Sequence, residues 1–535
     1  MAKVTTKGLA RNSAYALFAQ VWRIGSRFVL TPLILALIGL EGYGAWTLIF
    51  TICAYVNVVD TNFGVAYTKF TAEYDAKGDY DRLARIIGSG MVLIGSIGAV
   101  AIAIIWSLRF PILKYLGVPH EMLTDAGHAL LIVMICVLVR MSVGCVFQVL
   151  TGLQRLDLRH KFGILASAIE FVVSLVLLYR HWGLMGLALG HFCGQMAATA
   201  AAWWMCRRLC PQLRISPLLC DRSGMRAMLS LGGRFQFLSF MQLLLNHGTK
   251  LVLSGLLGVS MLAIAEIANK LISLGMAVGG TIIAPVMPAF TNLRAIGSKV
   301  KEQALYERGS LITSMVCIPT FAFLAVFADR LVPLWTGKDF PLSIWTVRVL
   351  APVAFASMLT GMGTAALRGR GTIRLEFLYA MVGVAILVVL YPPGYYLAGY
   401  KGLILAEVAS GILCTAWFLA AFARQEALDL WHYVRTTLIA PMVVLMPGII
   451  AVAILAVEVG VIPGFEGRRL LRLADMAIWG TLFSIVVGLS AWFGLLTETE
   501  RVQVREHLPW RRGGSTGASG QMNKTRPGAP FSPTD

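Results

Sequence analysis

Apolar residues run through this chain in long blocks separated by short polar segments, and block length carries the first inference. Crossing the hydrocarbon layer as a helix takes about 20 predominantly apolar residues. Fourteen stretches reach that scale, at approximately 13–38, 45–68, 86–108, 125–150, 163–179, 184–206, 229–256, 261–290, 309–327, 345–366, 375–391, 402–423, 437–458 and 474–496. The pattern predicts an all-α polytopic membrane protein with about 14 transmembrane helices. Connections on the predicted outer side are short, the longest running from about Ala328 to Ile344, so no extramembrane catalytic domain is expected and the chain reads as a non-enzyme.

Composition agrees: 57% of the 535 residues are apolar and 14% are charged, where soluble domains carry about 25% charge. The net charge of +19 would point to nucleic acid if the cations clustered with exposed aromatics, but they sit in short segments between apolar blocks, and nucleic-acid binding is excluded. Thirty of the 46 Lys and Arg fall on one face of the map, nine on the other and seven within helices. Cations in short loops are retained in the cytoplasm, which puts both termini there. One connection dissents, with Arg468, Arg469 and Arg472 in the predicted outer loop between the last two helices. Nine cysteines form no C-x-x-C pair, so neither a metal nor another cofactor is expected. Lys3, Lys7 and Arg11 precede a run long enough to stay as a first membrane helix, and Gly513–Asp535 reads as a disordered tail.

Landmarks recur at nearly one offset. Phe70-Thr71 matches Phe290-Thr291, Gly39 matches Gly258, and Gly183-x-x-Gly186-Leu187 matches Gly399-x-x-Gly402-Leu403. The spacing predicts two parallel six-helix repeats forming two lobes, residues 1–228 and 229–423, followed by an additional helix pair at 424–496 and a cytoplasmic tail at 497–535. Such repeats place a substrate site between lobes that rock around it.

Seven cations lie inside the predicted helices: Arg23, Arg27, Arg140, Arg234, Lys250, Lys270 and Arg348. Each costs roughly 2.5–3.5 kcal/mol at a helix centre. Seven unrelieved would cost about 20 kcal/mol, above the roughly 5–15 kcal/mol that separates folded from unfolded. Arg348 and the acid Glu407 sit near helix ends and are read as reaching the interface. At depth, six cations then face three acids, Asp60, Glu170 and Glu266. Arg23, Arg27 and Thr31 share one stripe; Arg234, Gln242, Asn246 and Lys250 share another, at equivalent depth in the second repeat. Glu266 stands four residues before Lys270, an intrahelical pairing position. Excess positive charge in a dry chamber favours an anionic ligand, and phosphate suits the arginine fork.

The run Gly39-Leu40-Glu41-Gly42-Tyr43-Gly44-Ala45-Trp46, with Asp60-Thr61-Asn62-Phe63-Gly64-Val65-Ala66 and Ala72-Glu73-Tyr74, resembles the opening of Wzx-type polysaccharide flippases of the multidrug/oligosaccharidyl-lipid/polysaccharide exporter superfamily. The resemblance implies a two-lobed bundle in the bacterial cytoplasmic (inner) membrane. It would move a polyprenyl-diphosphate-linked oligosaccharide from the inner to the outer leaflet by alternating access, with a polysaccharide polymerase and assembly proteins as partners. On that reading the diphosphate and sugar contacts are Arg23, Arg27, Arg140, Gln242, Asn246, Lys250 and Lys270, and Asp60 or Glu170 carries a coupling proton. Lys250 departs from the acid common in such relatives. Two alternatives stay open: a lipid II-type flippase, which shares fourteen helices and a basic cavity, and a multidrug/cation antiporter, whose chamber should be acidic.

Overall fold

A backbone placed in hydrocarbon must satisfy its own hydrogen bonds, so the apolar blocks become helices. The computed structural model describes residues 6–232, 236–372, 374–461 and 469–495. The first half comprises α1 (Thr6–Lys77), α2 (Tyr80–Tyr115), α3 (Leu123–Val143), α4 (Cys145–Gly152), α5 (Leu156–Tyr179), α6 (Gly183–Leu209) and the amphipathic α7 (Arg222–Gly232). The second comprises α8 (Gln236–Leu257), α9 (Val259–Ile283), α10 (Val286–Ile296), α11 (Lys299–Val326), α12 (Ala328–Thr336), α13 (Pro341–Arg370) and α14 (Arg374–Glu426). The chain continues through α15 (Leu430–Val434), α16 (Ala440–Val459) and α17 (Arg469–Gly494). Among the described residues, ten helical segments are long and apolar enough to cross a membrane, and the protein is a multi-pass, all-helical membrane protein. The predicted tail, Arg234 and Arg468 lie outside the described residues.

Two connections hold more structure than the hydropathy pattern shows. The predicted outer connection at Ala328–Ile344 contains α12, whose Val332 and Trp335 turn back to the core. Trp335 stacks on Phe28 of α1 at 4.2 Å and donates its ring N–H to the Phe28 carbonyl at 2.8 Å. Between α6 and α8, α7 starts at Asp221, whose carboxylate accepts the Gly224 amide at 2.6 Å and the Ser223 hydroxyl at 2.9 Å. The Gly224 amide holds that carboxyl below the usual carboxylate range.

The glycine landmarks are breaks. Gly39 interrupts α1 at φ 75°, ψ −177°, and Gly258 precedes α9 at φ 85°, ψ 168°, matching conformations that L side chains avoid. Gly183 opens α6 at φ 50°, and Gly399 breaks α14 at φ 53°. Each of the two Phe-Thr pairs is also overlaid by a glycine. A Cβ on Gly152 would lie 2.6 Å from Thr71 Cβ, and one on Gly369 would lie 3.2 Å from Phe290 Cβ.

Lipid is as apolar as leucine, so close approach, more than hydrophobic burial, holds these helices together. Along α6, Gly186, Gly190 and Gly194 recur every fourth residue. A Cβ on Gly190 would lie 2.1 Å from Ser174 Oγ, and one on Gly194 would lie 2.4 Å from the Ala166 carbonyl, so α5 lies directly against this ridge. One apolar core gathers α2, α3, α4 and α6 with the second arm of α1; another gathers α9, α11, α13, α16 and α17 with Leu30, Ile34, Leu35 and Tyr43 of α1. The two halves meet at the glycine-marked, predicted outer end. There a Cβ on Gly44 would lie 2.0 Å from the Val259 carbonyl, Ser254 donates to the Leu116 carbonyl, and Gly117 abuts Gly258.

The final helices dock through charge. Arg330 of α12 pairs with Asp475 of α17 at 3.5 Å and donates to the Ala456 carbonyl of α16. Arg472 lines a 280 Å³ cavity beside Asp329, Asp339 and Asp475, which gives one of the dissenting arginines an acidic setting.

Candidate functional site

Two cavities share Arg27 and Glu170; the larger is lined wholly by residues of the first half, the smaller by residues of both halves. The larger, 530 Å³, is lined by Arg23, Arg27, Asp60, Arg140, Arg159, His160 and Glu170, with Gln20, Gln148 and Gln195 between them. The smaller, 320 Å³, is lined by Arg27, Glu170, His247, Lys250, Glu266 and Lys270, with Thr31, Thr47, Thr51 and the rings of Tyr43, Trp46 and Phe50. Together they present six cations and three carboxylates, an excess of three positive charges with both histidines neutral.

The i, i+4 stripe on the first arm of α1 aims Arg23 and Arg27 inward, where both are exposed to the cavity. Arg23 donates to the Gln20 side chain, Arg140 to Gln195 at 3.4 Å, and Arg159 to the Thr151 hydroxyl at 3.1 Å. All of these acceptors are neutral. Among the described residues, none of Arg23, Arg27, Arg140 and Arg159 makes a salt bridge. Asp60 lines the larger cavity together with Arg140, without a salt bridge between them among the described residues. Glu170 is brought to His191 by the close α5–α6 contact, Nδ1 to Oε1 at 3.1 Å.

The cations of the second half are differently placed. Lys250 pairs with Glu266 across α8 and α9 at 2.7 Å, so Glu266 meets Lys250 instead of its intrahelical neighbour Lys270. Lys270 instead crosses to α1, donating to Thr31 Oγ1 at 2.7 Å above the Tyr43 ring. Gln242 and Asn246 line neither cavity: Gln242 donates to Glu376 at 2.7 Å and Asn246 to the Gln242 carbonyl at 2.7 Å. Glu407 is half-buried and lies near Thr249 and Lys250, inside the bundle and not at the interface.

Three contributors escape a reading by hydropathy. Arg159 and His160 fall in a predicted loop, yet α5 begins at Leu156 and carries both into the cavity. Glu376, 2% exposed, captures both Arg368 and Gln242. The charged residues at the start of α5 were the available signal for Arg159. Among the described residues, no cluster of His, Cys, Asp and Glu could hold a metal ion.

Residues 34–344 match the family described as "Polysaccharide biosynthesis protein". Among solved structures, the fold is similar to "Lipid II flippase MurJ, inward closed conformation", with a TM-score of 0.68, 11% identity, and coverage of 90% of this chain and 99% of that one. It is also similar to an inward-facing multidrug resistance MATE family transporter of the MOP superfamily, with a TM-score of 0.65, 14% identity, and coverage of 78% and 94%. A third, a MOP superfamily transporter from Pyrococcus furiosus described as having reversed binding-pocket polarity, gives a TM-score of 0.54 at 13% identity over 78% and 96%. A search among curated proteins finds no match. At these identities the structural likeness establishes a MOP-type fold.

Proposed function

Because this chain belongs to the polysaccharide biosynthesis protein family, we propose that it is a flippase for polyprenyl-diphosphate-linked oligosaccharide, working by alternating access in the bacterial inner membrane with both termini cytoplasmic. The observation that carries the reading is the excess of three positive charges in the shared cavities, with Arg23, Arg27, Arg140 and Arg159 free of ion pairs among the described residues. A diphosphate offers oxyanions to several arginine forks at once, and charge-assisted bonds of that kind are roughly twice as strong as neutral ones. Oligosaccharide cannot cross hydrocarbon unaided, whereas an isoprenoid tail can remain in lipid while the head occupies the cavity.

In this reading the ten spanning segments resolve into fourteen crossings, since α1 and α14 are each broken at a glycine and the more polar α6 and α8 also cross. Residues 1–228 and 229–423 are two six-helix lobes, 424–496 an added pair, and the matched glycine breaks and glycine-covered Phe-Thr pairs support the duplication. The cargo contacts narrow to Arg23, Arg27, Arg140, Arg159 and Lys270; Lys250 serves first as the counter-ion of Glu266, and Gln242 and Asn246 drop out of the set. Asp60 and Glu170 lie among the cargo cations, where a proton could exchange with cargo. A lipid II-type cargo is the second reading, favoured by a fold likeness that extends over the final helix pair. A cationic-drug exporter would need the opposite cavity charge. Replacing Arg23 and Arg27 together with Ala stops export of lipid-linked glycan while the protein still inserts; unchanged export removes these residues from the cargo site.

A further inference from the structure

We propose that Lys270 is a latch between the two halves that anionic cargo releases, so that outward opening depends on the cargo's charge. This rests on the anion-flipping reading and adds the residue that ties cargo charge to movement. Lys270 belongs to α9 in the second half, and its hydrogen-bond acceptor, Thr31, belongs to α1 in the first. Thr31 is fully buried, and its hydroxyl donates to the Arg27 carbonyl at 2.9 Å. The hydroxyl proton is thereby committed, and its lone pair is turned to the Lys270 ammonium at 2.7 Å. The carboxylate that could have neutralised Lys270 within its own helix, Glu266, is taken by Lys250 at 2.7 Å. Lys270 is left with a hydroxyl and the face of Tyr43, 5.0 Å from the ring centre.

A cation whose direct contacts are neutral groups exchanges them readily for an anion, because a phosphate adds charge–charge attraction to the hydrogen bond. Arg27, one turn from Thr31, lines the same cavity, so a phosphate drawn to Arg27 arrives beside Lys270. The phosphate then takes the ammonium from Thr31, and the bond between α9 and α1 is lost just below the contacts that seal the outer end: Gly44 on Val259, Gly117 on Gly258, and Ser254 on Leu116. Uncharged cargo offers Lys270 only hydroxyl oxygens, no better than that of Thr31, and leaves the latch shut. Lys270 thus acts as a specificity-determining residue, coupling the sign of the cargo's charge to the lobe movement.

The test uses the full chain in lipid nanodiscs. Accessible Cys193, Cys210 and Cys220 are replaced by Ser, and a cysteine pair is installed at Glu41 and Ser260, whose side chains face each other at 3.5 Å across the outer seam. A short bifunctional thiol reagent then reports closure. Without additive, the otherwise wild-type protein cross-links efficiently; polyprenyl diphosphate lowers the yield and uncharged polyprenol leaves it unchanged. Lys270→Met and Thr31→Val raise the outward-open fraction about tenfold without additive, the factor given by about 1.4 kcal/mol. Thr31→Ser, which keeps the hydroxyl, behaves as wild type and shows that the position tolerates change. Cross-linking of both disabling variants at the wild-type level without additive overturns the latch. Low cross-linking in both, with a wild type that ignores polyprenyl diphosphate, overturns release by the anion. Failure of the cargo reading shows separately, as absence of lipid-diphosphate translocation by wild type in liposomes.

Discussion

The division of buried cations into paired and unpaired ones is tested by removing the carboxylate of Glu266. Lys250 and Glu266 stand 2.7 Å apart with side chains 17% and 15% exposed. Coulomb's law at an effective dielectric near 20 gives about 6 kcal/mol of attraction at that spacing, much of it offset by the cost of desolvating both ions. Glu266→Gln leaves Lys250 without its counter-ion, and stranding one partner of a buried pair costs about 3–5 kcal/mol. Residual exposure puts the expected loss near the lower figure, about 3 kcal/mol. Lys250→Met leaves Glu266 to Lys270, four residues on in the same helix, and is expected to cost less, about 1–2 kcal/mol. The double variant removes both charges and is expected to lose only about 1 kcal/mol, a coupling of several kcal/mol between the two sites. Arg27→Gln strands nothing and changes stability by less than about 1 kcal/mol. The assay is unfolding in mixed detergent micelles titrated with sodium dodecyl sulfate, followed by tryptophan fluorescence. A double variant whose loss equals the sum of the singles would refute the pairing, and with it the assignment of Lys250 as a structural cation.

Two further outcomes follow from the packing. Gly44→Val forces a side chain into the Val259 carbonyl, where even a Cβ would lie 2.0 Å away, so the outer seam cannot close; cross-linking of cysteines installed at Glu41 and Ser260 should fall and glycan export drop at least tenfold, and normal export would contradict the closure geometry. Arg330→Met removes the α12 cation from Asp475, 3% exposed at the α12–α17 contact, and should loosen α17 and open the 469–494 helix to proteolysis; wild-type protease resistance would mean the pair does not hold α17.

Much of the architecture is legible because period and length are local properties. The block lengths announce helices, and Gly39, Gly258, Gly183 and Gly399 mark breaks because glycine adopts the positive φ found at each far more readily than an L side chain does. The Arg23, Arg27, Thr31 stripe is likewise local, since residues four apart must share a helix face. Pairing between helices is another matter. That Glu266 chooses Lys250 over Lys270 depends on how α8 crosses α9, which no spacing along the chain encodes. The same is true of Gln242, which shares the α8 stripe with Lys250 yet is drawn to Glu376 of α14. Arg159 was hidden by the polar start of α5, which reads as a loop because cavity-lining residues break the apolar run.

The central claim is that the unpaired arginines receive a negatively charged lipid head. It is tested most directly by the purified protein in liposomes carrying fluorescent lipid-linked glycans that differ only in the linkage, diphosphate or uncharged. Translocation of the diphosphate-linked lipid, abolished by replacing Arg23 and Arg27 and absent for the uncharged lipid, is the predicted result. Equal or faster movement of the uncharged lipid would contradict it.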